Sequence, residues 1–208
     1  YTASSSDLKN QKSGSDIYIM NADGSHAKAL TEDGKSSSAV WSKDGKSIFF
    51  TNYEKGTAQI FRMDLTTCET EQVTYYELGI GSPVISPDER YIAFTAEVYP
   101  DLGADAKANK ARMEKKEQGP VQAHIADKLL YRHWTSYNDG RCNHLILFDT
   151  QTKTYKDLTP GNYSLIFVVG GGITYQFSPD SKEICFVSNH DEHQEASTNA
   201  DLWTVSVN

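Results

Sequence analysis

The apolar and polar positions of this 208-residue chain alternate in short runs broken by turn residues, and three of those runs share one layout. They read Trp41-Ser42-Lys43-Asp44-Gly45-Lys46-Ser47-Ile48-Phe49-Phe50, Ile85-Ser86-Pro87-Asp88-Glu89-Arg90-Tyr91-Ile92-Ala93-Phe94 and Phe177-Ser178-Pro179-Asp180-Ser181-Lys182-Glu183-Ile184-Cys185-Phe186. In each, an apolar residue leads into Ser, a tight turn centred on Asp reverses the chain, and an apolar-rich run follows. Two antiparallel strands joined by a hairpin are written this way. Ser42 and Ser86 lie 44 positions apart; Ser86 and Ser178 lie 92 apart, one further period of 44 with 48 residues left over. A period of about 40–45 residues carrying several short strands predicts the blades of a β-propeller.

A second strand pair recurs between the first. It appears as Asp16 to Met20 with a partner ending at Leu30-Thr31, as Gln59 to Met63 with Val73-Thr74, and as His144 to Phe148 with Leu158-Thr159. A fourth first half, Asp201 to Val205, has no second half. With the strands of a blade labelled A to D, blade one supplies only C and D (16–31), blade two is complete (38–74), blade three spans 83–158 around an insertion at 97–143, and blade four spans 173–207. Residues 1–15, rich in Ser, Lys, Asn and Gly, predict a flexible lead-in. The predicted fold is therefore all-β over 16–208, a partial propeller of about three of seven or eight blades with a mainly helical insertion. An unclosed set of blades leaves edge strands exposed, so the pattern predicts that the chain belongs to a longer polypeptide.

In such a blade the A–B and C–D turns lie at one end and the B–C and D–A connections at the other. The first set is short throughout; the second holds residues 53–58, 75–82, 97–143, 160–172 and 189–200. Long ordered connections cost conformational entropy and are usually functional, so the asymmetry predicts a working face. Within the insertion, Ala104 to Gln118 is rich in helix formers and Gly119-Pro120 ends it. Val121 to Trp134 carries Ile125, Leu129 and His133 at four-residue spacing beside Ala126, Leu130 and Trp134, an amphipathic stripe that predicts a second helix.

Composition narrows the chemistry. The hydrophobic content of 38% and aromatic content of 11% suit a globular chain, and twelve tyrosines suit strands. A formal charge of −8 argues against nucleic acid or an anionic membrane as the main partner. No apolar run approaches the roughly 18 residues of a spanning helix. Tyr1 to Asn10 lacks the features of a signal peptide, which says nothing if the chain is a mature or excised fragment. Cys68, Cys142 and Cys185 lack metal spacing and read as three unrelated thiols whose disulfide state the sequence leaves open. The six histidines form no metal set, and His190 and His193 sit in a polar loop read as solvated. Neither a metal nor a cofactor is expected. Gly79-Ile80-Gly81-Ser82-Pro83 has its Ser out of place for a G-x-S-x-G nucleophile elbow and reads as a D–A loop. Gly170-Gly171-Gly172, with no helix or Lys after it, reads as a flexible entry to strand A rather than a phosphate loop.

The repeats resemble the WD40-like propeller repeats of the TolB family and of the prolyl oligopeptidase family of serine peptidases. The run from Ala126 to Gly140, with Leu129, Tyr131, Arg132, Trp134, Asp139 and Gly140 followed by His144-Leu145, resembles the L-x-Y-R-x-W-D-x-x-x-D-G … H-L segment of the acylaminoacyl-peptidase and dipeptidyl-peptidase 5 branch. Thr135 stands where that segment commonly has Asp. The resemblance covers nearly the whole chain from Asp16, but only the amino-terminal propeller part of such an enzyme. It implies a propeller that caps an α/β-hydrolase domain and filters peptide substrates for it, with a homodimer allowed for and a periplasmic, secreted or cytoplasmic setting. No catalytic residue carries over onto this chain. The alternative is a non-enzymatic TolB-like propeller that docks a partner protein on its long-loop face.

An exopeptidase must hold a charged α-amino group, and carboxylates in a partly desolvated site do this best. The related dipeptidyl peptidases use acidic residues on a propeller insertion, so by analogy the substrate-binding candidates are Glu97, which follows strand B directly, and Asp101. Glu114 and Glu117, beside Lys115 and Lys116, read as solvent-facing.

Overall fold

Hydrogen bonding within hairpins, more than any single large core, organises the chain. A computed structural model describes residues 1–53, 56–121, 123–126, 129, 131–165 and 174–208, in two compact units, Tyr1–Ile80 and Gly81–Asn208. The first unit holds β1 (Thr2–Asp7), β2 (Lys12–Ile19) and β3 (Lys28–Ala29) in one antiparallel sheet, ordered β1-β2-β3. Its second sheet is β4 (Ser36–Trp41), β5 (Ser47–Asn52), β6 (Gln59–Asp64) and β7 (Thr70–Gln72), ordered as in sequence. Ile17, Ile48, Phe50 and Met63 are buried together in this unit.

The second unit runs β8 (Gly81–Ile85), β9 (Tyr91–Val98), α1 (Ala106–Glu117), β10 (Arg132–His133), β11 (Ser136–Tyr137), β12 (Cys142–Asp149) and β13 (Thr154–Asp157). β14 (Tyr175–Phe177), β15 (Glu183–Ser188) and β16 (Asp201–Ser206) follow. The main sheet is ordered β13-β12-β9-β8, and a separate sheet β14-β15-β16. Between these two sheets Tyr91, Ala93, Leu145, Leu147, Tyr175, Phe177, Ile184 and Phe186 form one core.

The sheets β4-β5-β6-β7, β13-β12-β9-β8 and β14-β15-β16 fall on the segments drawn as blades two, three and four; position 173, the expected start of blade four, lies outside the described residues. Residues 1–15, expected as a flexible lead-in, instead form the β1–β2 hairpin, paired from Thr2↔Ile17 to Asp7↔Lys12. Composition misleads here because the hairpin is held by its turn and its ladder. Asp7 Oδ1 accepts from the N–H groups of Lys9 and Asn10 at 3.0 and 3.1 Å, and Tyr1 stacks on Tyr18 at 5.4 Å.

The Ser-x-Asp sequence is a hydrogen-bonded module, repeated without change of plan. Ser42, Ser86 and Ser178 each donate a hydroxyl to the Asp two residues on, at 2.7, 2.6 and 2.7 Å. The same serine oxygens accept from the first N–H of the next strand, at Ser47, Tyr91 and Glu183, at 2.9, 2.9 and 3.1 Å. Each Asp carboxylate also accepts from a backbone N–H at Lys46, Arg90 or Lys182. These bonds hold the Asp44 and Asp180 carboxyls below their ordinary range, the Lys46 N–H first for Asp44 and the Ser178 hydroxyl first for Asp180. The turn requires a left-handed residue, supplied by Gly45 (φ 68°), Glu89 (φ 61°) and Ser181 (φ 62°).

The helical insertion is only partly helical. α1 lies where helix formers and the Gly-Pro stop predict it, capped by the Asp105 side chain, which accepts from Ala108 N–H at 2.9 Å. Among the described residues of 121–134, by contrast, there is no helix. Val121, Ile125 and Leu129 are exposed, and the short β10–β11 hairpin follows. A stripe stabilises a helix only where it finds apolar surface to cover, and these three described members are left exposed. Residues 122, 127, 128 and 130 of that stretch, and Gly170-Gly171-Gly172, lie outside the described residues.

The space around Gly45 is open, with no heavy atom within 4 Å of an added Cβ, so only backbone strain opposes a side chain there. Gly45→Ala is expected to destabilise the first unit by about 1 kcal/mol; a urea midpoint unchanged from the parent would refute the role given to this turn.

Candidate functional site

Blade three presents its long connections at one end of two unusually long, fully paired strands. β9 and β12 are matched from Tyr91↔Asp149 to Val98↔Cys142, so Glu97, opposite Asn143, stands on a rigid ladder and the insertion proper begins beyond Val98. The chain then turns at Tyr99, whose carbonyl accepts from Leu102 and Gly103 N–H at 2.9 and 3.0 Å. Fully buried Asn109 of α1 fastens the helix to this turn. Its Oδ1 accepts from Tyr99 N–H at 2.7 Å, and its Nδ2 donates to the carbonyls of Gly103 and Asp105 at 3.0 and 2.8 Å.

Both carboxylates expected from the sequence sit at this end, and each meets a guanidinium. Asp101 takes Arg112 in a bidentate pair at 2.7 and 2.6 Å, which holds the Asp101 carboxyl below its ordinary range. The same guanidinium lies 4.6 Å over the Tyr99 ring. Glu97 meets Arg141 at 3.1 Å, but Arg141 also binds Asp139 through Nε at 2.9 Å. One guanidinium thus serves two carboxylates, and the Glu97 side chain stays 63% exposed. Asp101 is equally exposed, at 63%, so the two carboxylates differ in pairing rather than in access: Arg112 is bidentate to Asp101, whereas Arg141 is shared between Glu97 and Asp139. Glu114 and Glu117 are exposed, as their lysine neighbours predict.

Tyr99 itself is buried, its hydroxyl without a protein partner among the described residues. Burial comes first among the causes that raise its pKa, with Asp139 adding to it. Tyr99, Asn109, Arg112 and Arg141 were not singled out from the sequence. Arg141 directly follows the Asp139-Gly140 pair of the segment resembling peptidases, which was the one available signal; Arg112 reads as one more helix former.

Beneath this end lies a buried ion pair. His144 is fully buried; its Nδ1 meets Asp157 Oδ2 at 2.8 Å and its Nε2 meets the Gly161 carbonyl at 2.9 Å. Both neighbours are acceptors, so both ring nitrogens carry protons and the ring is an imidazolium. Burial works against that charge, but the Asp157 carboxylate, with smaller help from Cys142 and the Gly161 carbonyl, raises the pKa from 6.5 to about 9. The pair ties β12 to the end of β13 and to the connection that follows.

Other positions singled out in the sequence take definite places in the structure. His190, read as part of a solvated loop, is partly buried and stacks on Trp203 at 4.1 Å and on Tyr163 at 4.0 Å. Flanking acidic residues hid the aromatic partners, which lie more than ten positions away in sequence. The three cysteines are free thiols. Ser82 opens strand β8 rather than an elbow between strand and helix. Among the described residues no cluster of His, Cys, Asp and Glu could hold a metal ion, and no helix is long and apolar enough to cross a membrane.

Repeated antiparallel sheets of up to four strands, three of them with a Ser-x-Asp turn between first and second strands, define a β-propeller of the TolB type. Residues 6–119 match the family model described as TolB beta propeller domain, and the chain belongs to that family. Among curated proteins it is 28% identical over its whole length to dipeptidyl-peptidase 5 of Porphyromonas gingivalis, covering 30% of that protein. It is 26% identical over 66% of its length to dipeptidyl-peptidase 5 of Porphyromonas endodontalis, covering 19% of it. The chain thus spans less than a third of the length of these relatives. Among solved structures it superimposes on Pyrococcus horikoshii acylaminoacyl peptidase with a TM-score of 0.64 at 20% identity, over 98% of this chain and 28% of that one. TolB from Acinetobacter baumannii gives 0.53 at 19%, over 91% and 34%.

The His144–Asp157 pair fixes a pH dependence. A pKa raised on folding gives stability that is complete below the unfolded value of 6.5 and lost as pH rises through about 9. Thermal midpoints of the parent chain are therefore expected to fall across that window more than those of Asp157→Asn, in which the imidazolium has lost its counter-ion. Parallel curves for the two proteins would assign the loss to other groups.

Proposed function

We propose that this chain is the propeller part of a serine exopeptidase, of the dipeptidyl or acylaminoacyl type. In this reading it gates access of peptides to an α/β-hydrolase domain elsewhere in the polypeptide and helps to bind their amino ends. The observation that carries the reading is the alignment with dipeptidyl-peptidase 5, which runs across the whole chain, insertion included. The geometry of blade three supports it. Glu97 stands on a rigid strand end, is exposed, and shares its arginine with Asp139, so a peptide ammonium can join it without stripping a carboxylate of its only partner. Asp101, as exposed as Glu97 but held bidentate by Arg112, is the second candidate carboxylate and also sets the insertion against Tyr99. A secreted or periplasmic setting fits this class of protein.

The second reading, a TolB-like propeller that docks a partner protein, is favoured by the family match over residues 6–119. The two part at the chemistry of the complete polypeptide. A fluorophosphonate probe is expected to phosphonylate one serine there, with loss of fluoride, and no serine of the 208-residue chain, because the displacement needs a nucleophile activated by a base. Labelling within these 208 residues would overturn the proposed division of labour, and a complete polypeptide that resists the probe would favour the docking protein.

Within the enzyme, Glu97→Gln is expected to raise KM for dipeptide substrates with a free amine by roughly two- to fivefold, the effect of losing an exposed charge pair. Amino-blocked substrates should be spared. Equal effects on both kinds, or none on either, would return Glu97 to the ordinary solvated surface.

A further inference from the structure

The register of β9 on β12 puts an arginine within reach of Glu97 whatever else surrounds it. Glu97 is paired with Asn143, and Arg141 stands two residues before Asn143, one residue outside β12. Residues on that diagonal of an antiparallel pair lie about 7–8 Å apart, within the span of a long side chain. A guanidinium with no other claim on it closes on a carboxylate with two N–H groups. Arg112 does this to Asp101, through Nη1 at 2.7 Å and Nη2 at 2.6 Å.

Arg141 is held differently. Its Nε donates to both oxygens of Asp139, at 3.0 and 2.9 Å, and it meets Glu97 through Nη1 at 3.1 Å. Asp139 thus sets the plane of the guanidinium, and Glu97 takes what that orientation leaves. Asp139 is able to do so because its own turn is fixed. Asn138 N–H donates to the Tyr131 carbonyl at 2.8 Å, and the Asn138 side chain accepts from Gly140 N–H at 2.9 Å. Gly140 supplies the left-handed residue of the turn, with φ 91°. Lys116 of α1 donates to the Asp139 carbonyl at 3.2 Å. The side chains of Asp139 and Arg141 are each 23% exposed, against 63% for Glu97. A charge pair away from water is the stronger one, so Asp139 is the lasting partner of Arg141 and Glu97 is the one whose oxygens a ligand contests.

The geometry points to Asp139 as a positioning residue of the amine site: by holding Arg141 at Nε it keeps the guanidinium from closing on Glu97, and so sets the preference for free over blocked amino ends. The inference rests on the reading of Glu97 as the amine anchor and adds to it a residue that acts only through Arg141. Arg141 becomes an internal competitor of the substrate ammonium. Both seek the same carboxylate, and each N–H that Asp139 takes is one fewer for Glu97.

The test uses the complete polypeptide and the ratio of KM for a free-amine dipeptide substrate to KM for its amino-blocked counterpart. Asp139→Asn keeps the shape of the side chain and removes the charge that holds Nε, so Arg141 turns to Glu97. The ratio is expected to rise by roughly two- to fivefold, the size of one exposed charge pair, carried by KM rather than kcat. In a Glu97→Gln background the same substitution should add nothing, because the charge in dispute is gone. Adding Arg141→Gln to Asp139→Asn should return the ratio to the parent value or below it, and Arg141→Gln alone should lower it. A ratio unmoved by Asp139→Asn would overturn the inference and leave Glu97 as the anchor. So would an effect of Asp139→Asn that persists without Glu97 or without Arg141, which marks a general disturbance of the turn, or a ratio raised by Arg141→Gln alone. A ratio unmoved by Glu97→Gln itself would overturn the anchor and this inference together.

Discussion

An open antiparallel sheet has polar backbone groups to satisfy wherever a hairpin turns, and the rest of this structure depends on how that is done. The Ser-x-Asp module closes the A–B turn with one hydroxyl that both donates and accepts, and one carboxylate that gathers what remains. At the opposite end of the C–D pair the hydroxyls of Thr31, Thr74 and Thr159 accept from the N–H groups of Ile17, Ile60 and Leu145. Both devices are local, spanning residues close in sequence or in adjacent strands, so each blade is specified by its own repeat and tolerates large changes in its connections. Blade three illustrates the freedom this gives. Its β9–β12 ladder runs unbroken for the full eight residues of each strand, and an insertion of more than forty residues hangs from its end without disturbing the pairing below.

The same end of blade three concentrates charge. At its base His144 and Asp157 are buried and mutually dependent, so removing either would leave a buried group unpaired. Above them Asp101 and Arg112 form a closed pair against an aromatic ring. Beside them the less exposed Arg141 divides itself between Glu97 and Asp139. A buried pair thus underlies two exposed carboxylates, Glu97 and Asp101, each held by a guanidinium.

Much of the fold was legible because its determinants are local. Asp44-Gly45 announces its turn by composition, and the copies at Asp88-Glu89 and Asp180-Ser181 are found by spacing even though neither has glycine at the left-handed position. What was not legible depends on tertiary surroundings. The β1 segment Thr2–Asp7 looks like linker because its strand is polar, and only its pairing with β2 reveals it. The stripe through Ile125 and Leu129 has helical spacing, but those two residues are exposed. Glu97 and Asp101 were picked by position near the strand end, yet nothing in the sequence couples Asp101 to Arg112 or Glu97 to Arg141. His144, the first residue of the His-Leu pair in the resemblance, proves to be a structural imidazolium rather than a surface group.

The most direct measurement is photo-crosslinking in the complete polypeptide, with a dipeptide substrate analogue carrying a photoreactive group beside its free amine. Adducts on the segments 97–101 and 139–144 at the insertion end of blade three are the expected result, lost when an amino-blocked analogue is used. Adducts confined to the short-turn end, at 87–90 and 150–153, or adducts indifferent to blocking of the amine, would contradict a role for this propeller in holding peptide amino ends.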